Sequence, residues 1–194
     1  MGFVVTGLDM HSEGLAYAMR RVPKAELITK SLANFHPKTL FDAIGAFDVI
    51  EHIPKDSTAL LQCATLLKKG GMLYLTVPAR PELWSVYDDI SGHKRRYTKS
   101  DLTALLTRNG YAIRYIGYFG FFQYIPHIIM KRLILAKSGR QPNDVMSVLK
   151  KVVWQPPGVL NWLLEQSFTL DMLISKFVPL PVGTSLIVAA QKAV

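Results

Sequence analysis

The stretch that decides the fold runs from Phe41 to Pro78: FDAIGAFDVIEHIPKDSTALLQCATLLKKGGMLYLTVP. Asp42–Phe47 is a short apolar run closed by an acid, Asp48. Lys55–Lys69 sets Leu60, Cys63, Ala64 and Leu67 on one helical face. Gly70-Gly71 reads as the stop of that helix, with Lys68 and Lys69 in a last turn where cations complement the dipole. Met72–Val77 is a second apolar strand, ended by Pro78. Strand, helix and strand in this order predict parallel strands joined by a right-handed crossover, hence an α/β fold. Ligands in such sheets bind beyond the carboxyl ends of the strands. Those ends are Ala46, Phe47 and Asp48, running into Glu51 and His52, and Val77-Pro78-Ala79.

Outward toward the amino end, Phe3–Leu8 and Ala25–Thr29 read as further strands. Between them lies a helix with Ser12 as N-cap and an apolar stripe of Leu15, Ala16 and Met19. Lys30–Leu40 has no period and reads as loop. Toward the carboxyl end, Ala79–Tyr97 is a long polar connection, of a length that is usually functional or disordered. It holds Trp84, Asp88, Asp89, His93, Arg95 and Arg96. Thr98 then opens a helix with Asp101 three residues on, as in a capping box. Leu102, Leu105 and Leu106 line that helix, and Tyr111–Tyr118 follows as a strand. Tyr115–Met130 carries no charge, but it is shorter than the roughly 20 apolar residues that span a bilayer. Lys137–Asp144 reads as a polar linker, Leu160–Phe177 as a second apolar helix, and Thr184–Ala190 as a last strand.

A chain of 194 residues is expected to form one domain. Hydrophobic residues at 49% and charged ones at 19% exclude a disordered chain. The net charge of +9 favours anionic partners: a phosphate-bearing ligand, nucleic acid or an acidic membrane surface. Cys63 is the single cysteine, so it forms no internal disulfide and reads as an inert core residue. Met1–Val5 has no basic leader, which makes the cytoplasm the expected compartment.

Taken together, these pieces resemble a class I S-adenosylmethionine-dependent methyltransferase of the small-molecule and quinone type. The resemblance rests on VTGLDM (Val5–Met10), FDAIGAFDVIEHI, LLKKGGMLYLTVP, and GHKRRYTKSDL before a helix, in the family's order from residue 3 to about 118. SLIVAAQK resembles its closing strand. The resemblance implies a Rossmann-like sheet, mostly parallel with an antiparallel closing strand, and a helical insertion at 120–181 before that strand. It also marks a departure. Such enzymes open on a strand and a glycine-rich turn of the type E-x-G-x-G-x-G, and this sequence contains none. The chain therefore reads as an N-terminally truncated relative, expected to leave a gapped or collapsed central sheet and to transfer no methyl group by itself.

By the same resemblance Asp9 accepts hydrogen bonds from the cofactor's ribose hydroxyls, or else caps the next turn. Met10 lies on the adenine or fills the core. Leu32 stands where the adenine amino group is usually met by an acid, leaving backbone contacts or Asn34. Ala46, Phe47 and Asp48 line the methionine and sulfonium end, where transfer needs alignment and exclusion of water. Glu51 and His52 face the cofactor or acceptor, or cap the turn. His93 is the better candidate base, against the alternative of an exposed loop histidine. Arg95 and Arg96 hold a substrate carboxylate or phosphate, or belong to a solvated face. Trp84 and Tyr87 wall the acceptor, or pack the loop, and Tyr97 stands with the basic cluster on the substrate side. No residues are assigned to a metal.

The leading function is methyl transfer from S-adenosylmethionine to a small, apolar or lipid-like acceptor, with O- and C-methylation both open. The insertion is either a lid or a peripheral membrane contact that sets Lys131, Arg132 and Lys137 at headgroup level. The alternative is a non-catalytic methyltransferase-like scaffold. Nucleic acid is disfavoured, because Ala46-Phe47-Asp48-Val49 lacks the Asn/Asp-Pro-Pro-Tyr turn of base methylation and no basic aromatic platform accompanies the charge. No G-x-G-x-x-G occurs to support a dinucleotide dehydrogenase.

Overall fold

The structure, a computed structural model, describes residues 2–137 and 157–193. Strands β1 (Thr6–Asp9) and β2 (Glu26–Thr29) pair in parallel across helix α1 (Ser12–Arg21) as a two-stranded sheet. A four-stranded sheet of order β3-β4-β6-β5 is built from β3 (Phe41–Phe47), β4 (Leu67–Pro78), β5 (Tyr111–Phe119) and β6 (Ser185–Lys192). β3 and β4 are parallel and β6 runs antiparallel to both its neighbours, as the resemblance implies for a closing strand. The remaining helices are α2 (Asp56–Leu66), α3 (Val86–Ile90), α4 (Lys99–Arg108), α5 (Phe121–Lys137) and α6 (Gly158–Ser175). The linker expected at Lys137–Asp144 lies, beyond Lys137, outside the described residues.

The central crossover departs from its sequence reading at one point. α2 ends at Leu66, and Leu67 is already extended at φ −85°, ψ 141°. Gly70-Gly71 sit inside β4 rather than stopping the helix. Phe41 to Ala43 spans two steps on β3 while its partners Leu67 to Met72 span five on β4, so β4 bulges there. Gly70 takes φ +72° in the bulge, and a Cβ on Gly71 would press on the carbonyls of Lys68 and Asp42. Lys68 is thereby set to pair with Asp42 at 2.7 Å instead of facing a helix terminus.

Alternation along the strands then decides where the core lies. Leu73, Leu75 and Val77 of β4 and Leu186, Val188 and Ala190 of β6 are buried on one face. They pack with Leu60 and Cys63 of α2 and with Leu102, Leu105 and Leu106 of α4. Thr98 Oγ1 accepts from the Asp101 N–H at 3.1 Å, the expected start of α4. Paired positions place Phe47, Tyr74, Tyr115 and Ile187 together on the opposite face, and all four are exposed.

No ladder joins the two sheets among the described residues. β1 and β3 thus each keep one unpaired edge. The smaller unit is tied in through the 3-10 turn Leu32–Asn34: Leu32 packs against the main core, and its carbonyl accepts from Gln62 Nε2.

α5 and α6 occupy the interval between β5 and β6. The chain leaves and re-enters the sheet where Gly120 and Gly183 approach Thr184 and Phe119 closely enough that a Cβ on either glycine would collide. Within the described residues no helix is long and apolar enough to cross a membrane.

Candidate functional site

The carboxyl end of β3 turns sharply. Asp48 takes φ 51°, and its N–H donates to the Thr76 carbonyl at 3.0 Å and to Thr76 Oγ1 at 3.1 Å. A non-glycine residue in the left-handed region is uncommon and marks a constrained bend. The bend delivers the short turn Ile50–His52, which sends Ile50 and Glu51 inward.

Glu51 is 0% exposed, and neither carboxylate oxygen has a hydrogen-bond partner. Burial pushes its carboxyl up to about 7, a rise that nearby Asp48 reinforces. His52 Nε2 stands 3.9 Å from Glu51 Oε1, too far for a hydrogen bond.

The connection after β4 is not the structureless loop expected. It contains a 3-10 turn at Pro81–Leu83 and the helix α3. Its organiser is Asp88, which is 0% exposed. Asp88 Oδ2 accepts from the Ser85 N–H at 2.8 Å, closing a capping box at the start of α3. Arg96 binds both its oxygens, Nε to Oδ1 at 2.7 Å and Nη2 to Oδ2 at 3.0 Å. His93 Nδ1 lies 2.8 Å from Oδ1. Burial raises the Asp88 carboxyl, but the bonds from Arg96, His93 and Ser85 outweigh it and hold the group below the usual carboxylate range.

A carboxylate accepts, so His93 donates through Nδ1 and keeps Nε2 as its free nitrogen. The His93 ring stands edge-on to His52, centroids 4.8 Å apart. The Lys94 N–H donates to the Glu51 carbonyl at 2.8 Å, pinning the two segments together. Glu51, His52 and His93, singled out from sequence on separate grounds, thus form one cluster beyond the end of β3.

Other candidates go elsewhere. Arg96 is 7% exposed, and its third bond, from Nη1, reaches the Ala79 carbonyl, so it serves the loop rather than a ligand. Arg95 pairs with Asp56 at 2.6 Å and donates to the Pro54 carbonyl. Tyr97 is buried and donates its hydroxyl to Asp56 at 3.0 Å. Trp84 Nε1 donates to Asp89 at 3.1 Å, and Tyr87 is exposed. Asp9 is exposed and accepts from the His11 N–H at 2.8 Å, so one oxygen makes the turn bond of the alternative reading. Met10 is exposed and fills no core, Leu32 is half-buried, and Phe47 lies on the bare sheet face beside half-buried Ala46.

Sequence reasoning gave Asp88 and Asp56 no role. Ser85-x-x-Asp88 ahead of α3 was a legible capping-box signal; nothing local pointed to Asp56 as the partner of Arg95 and Tyr97.

The pattern of the family described as "Methyltransferase domain" matches residues 2–116, more than half of the chain. The chain belongs to the class I S-adenosylmethionine-dependent methyltransferases. S-adenosylmethionine is that family's cofactor. A ubiquinone biosynthesis O-methyltransferase of Albidiferax ferrireducens is 30% identical over 84 residues, 39% of this chain and 33% of that protein. A probable S-adenosylmethionine-dependent methyltransferase of Mycobacterium tuberculosis is 27% identical over 110 residues, 55% of this chain and 40% of that protein. The chain thus spans between a third and two fifths of these relatives. A Bacillus halodurans structure classed as a methyltransferase superposes with a TM-score of 0.59 at 18% identity, over 99% of this chain and 84% of that one. That likeness establishes the α/β methyltransferase fold.

Proposed function

We propose that this chain is the acceptor-side body of a methyltransferase acting on a hydroxyl of a small, apolar or lipid-like acceptor. The observation that carries the reading is the Asp88–His93 pair, with its free imidazole nitrogen beside Glu51 and His52 at the end of β3. In the step proposed, the methyl–sulfur bond of S-adenosylmethionine breaks as the oxygen–methyl bond forms. The sulfonium becomes a neutral thioether, and the hydroxyl proton passes to His93 Nε2. Asp88 holds the ring in the accepting tautomer and stabilises the imidazolium. The O-methyltransferase relatives favour oxygen over carbon as the acceptor atom.

The cofactor side needs more than the described residues supply. In this reading Asp9 accepts from the ribose, but among the described residues β1 and β3 are not joined, and the apolar face of the larger sheet is exposed. A strand with a glycine-rich turn, paired between those edges and followed by a helix on that face, completes the cradle in this reading. The same split favours a second reading, a non-catalytic methyltransferase-like protein.

Isothermal titration with S-adenosylhomocysteine separates the two. The first reading expects saturable binding in a chain extended by such a strand and turn. Asp9→Ala should then weaken binding by roughly 1.5–3 kcal/mol for each ribose bond lost. Absence of saturable binding by the extended chain, even at roughly millimolar ligand, would leave the second reading.

A further inference from the structure

We propose that Arg80 anchors an anionic group, a carboxylate or a phosphate, carried by the methyl acceptor. Among the described residues only Asp48 and Arg80 are non-glycine residues in the left-handed region, at φ 51° and 63°. They stand just beyond the carboxyl ends of β3 and β4, the paired parallel strands. Strained positions of this kind persist only where their surroundings fix them, and they gather at functional sites. Here the Arg80 N–H donates to the Tyr97 carbonyl at 2.9 Å, and the Arg80 carbonyl accepts from the Leu83 N–H at 2.8 Å.

The guanidinium supplies the independent observation. Its Nε is buried and has no acceptor, while Nη2 pairs with Glu82 Oε1 at 2.7 Å. Nε and Nη2 form one edge of the guanidinium, whose geometry suits both oxygens of one carboxylate or phosphate. Arg96 shows that edge filled: its Nε and Nη2 meet the two oxygens of Asp88 at 2.7 and 3.0 Å. On Arg80 the same edge is half filled. A buried donor without an acceptor has lost its water and gained nothing in exchange. Glu82 is 57% exposed, and an ion pair so open to solvent contributes little. An oxyanion that takes the place of Glu82 at Nη2 therefore displaces it cheaply and offers its second oxygen to Nε.

The anchor shares a frame with the base. Arg96 donates from Nη1 to the carbonyl of Ala79, the residue before Arg80, at 3.1 Å, and through Asp88 it also sets His93. One guanidinium thus fixes the place of the acid-binding edge relative to the imidazole that takes the hydroxyl proton. The Arg80 guanidinium also lies on the Tyr124 ring of α5, 5.1 Å from its centroid, so an acceptor held there meets the apolar helices with the rest of its body. Arg95 and Arg96, committed to Asp56 and Asp88, leave the anion-binding role to Arg80. Anion binding stands on this side chain alone; its use in selecting the acceptor rests on the methyl-transfer reading.

The test is calorimetric titration of the full chain with benzoate and, separately, with inorganic phosphate, benzyl alcohol serving as the uncharged control. At least one anion should bind saturably below about 10 mM, and benzyl alcohol should not. A preference for benzoate identifies a carboxylate on the acceptor, and a preference for phosphate a phosphate group. Glu82→Gln removes the competing carboxylate and should tighten binding. Arg80→Asn, a residue that tolerates the left-handed backbone, should weaken it about tenfold or more, with folding checked by circular dichroism. Should that variant fail to fold, Glu82→Gln decides. No saturable binding of either anion by the parent, equal binding of benzyl alcohol, unchanged affinity in folded Arg80→Asn, or no gain in Glu82→Gln would each overturn the proposal. Titration of the extended chain with S-adenosylhomocysteine keeps the readings apart. Anion binding through Arg80 without cofactor binding would retire methyl transfer and leave the anchor standing; the reverse result would remove the anchor alone.

Discussion

Asp88 Oδ1 meets His93 Nδ1 at 2.8 Å, and the same carboxylate grips the Arg96 guanidinium through both oxygens. One buried acid thus fixes the candidate base and the shape of the segment that carries it. Asp88→Ala would leave the nearly buried Arg96 cation without its partner. Loss of one member of a buried pair costs about 3–5 kcal/mol, against about 5–15 for a whole domain. The variant should melt far below the parent or fail to fold. A loss under about 1 kcal/mol in chemical denaturation would show that Asp88 does not organise this segment.

Asp56 gives the pH dependence. Burial raises its carboxyl, but bonds from Arg95, from the Tyr97 hydroxyl and from the Ser57 N–H prevail, and it lies below its ordinary value. A carboxyl depressed by folding stabilises the protein above its unfolded pKa of about 3.9, and that contribution fades as pH falls through the lower folded value. Stability should therefore drop on acidification below about pH 4, and Asp56→Asn should flatten the drop. An unchanged acid limb in the variant would remove Asp56 as a contributor.

The succession of strand, helix and strand and its parallel crossover were legible because each segment carries its own period and stop, whereas the antiparallel closing strand followed from the family resemblance alone. The end of α2 was not legible, since Gly70-Gly71 reads equally well as a helix stop or a strand bulge; pairing of β4 with β3 decides for the bulge. Glu51, His52 and His93 were legible as residues but not as a cluster. Only the bend at Asp48 and the Lys94–Glu51 backbone bond bring positions some forty apart in sequence together. Arg95 and Arg96 looked like substrate clamps because a run of cations in sequence does not reveal the acids that engage them, half-buried Asp56 and buried Asp88.

α5 and α6 bear on the acceptor. α5 is anchored over the segment after β4: His127 Nε2 lies 3.1 Å from the Leu83 carbonyl, and the Arg80 guanidinium stacks on Tyr124 at 5.1 Å. α6 leaves Trp162 57% exposed, with Val159 and Leu163 also open, and Phe177, just beyond the end of the helix, is 85% exposed. The side chains of Lys131, Arg132 and Lys137, expected at headgroup level, lie outside what the structure describes. Such an apolar stretch on a cationic chain should cofractionate with anionic vesicles, less so at high salt, as screening weakens headgroup attraction. Trp162→Glu with Phe177→Glu should abolish the association. No vesicle binding by the parent, with activity on a water-soluble apolar acceptor, would make these helices a lid only.

The central claim is that His93, held by Asp88, activates an acceptor hydroxyl for methylation. Its most direct measurement is transfer of labelled methyl from S-adenosylmethionine to a hydroxylated aromatic acceptor. It compares the chain extended by the completing strand and glycine-rich turn with its His93→Ala variant, S-adenosylhomocysteine affinity being measured in both. The account predicts turnover lowered by about 10²–10⁴ with cofactor affinity unchanged. Equal turnover in the two proteins across the pH range would contradict it.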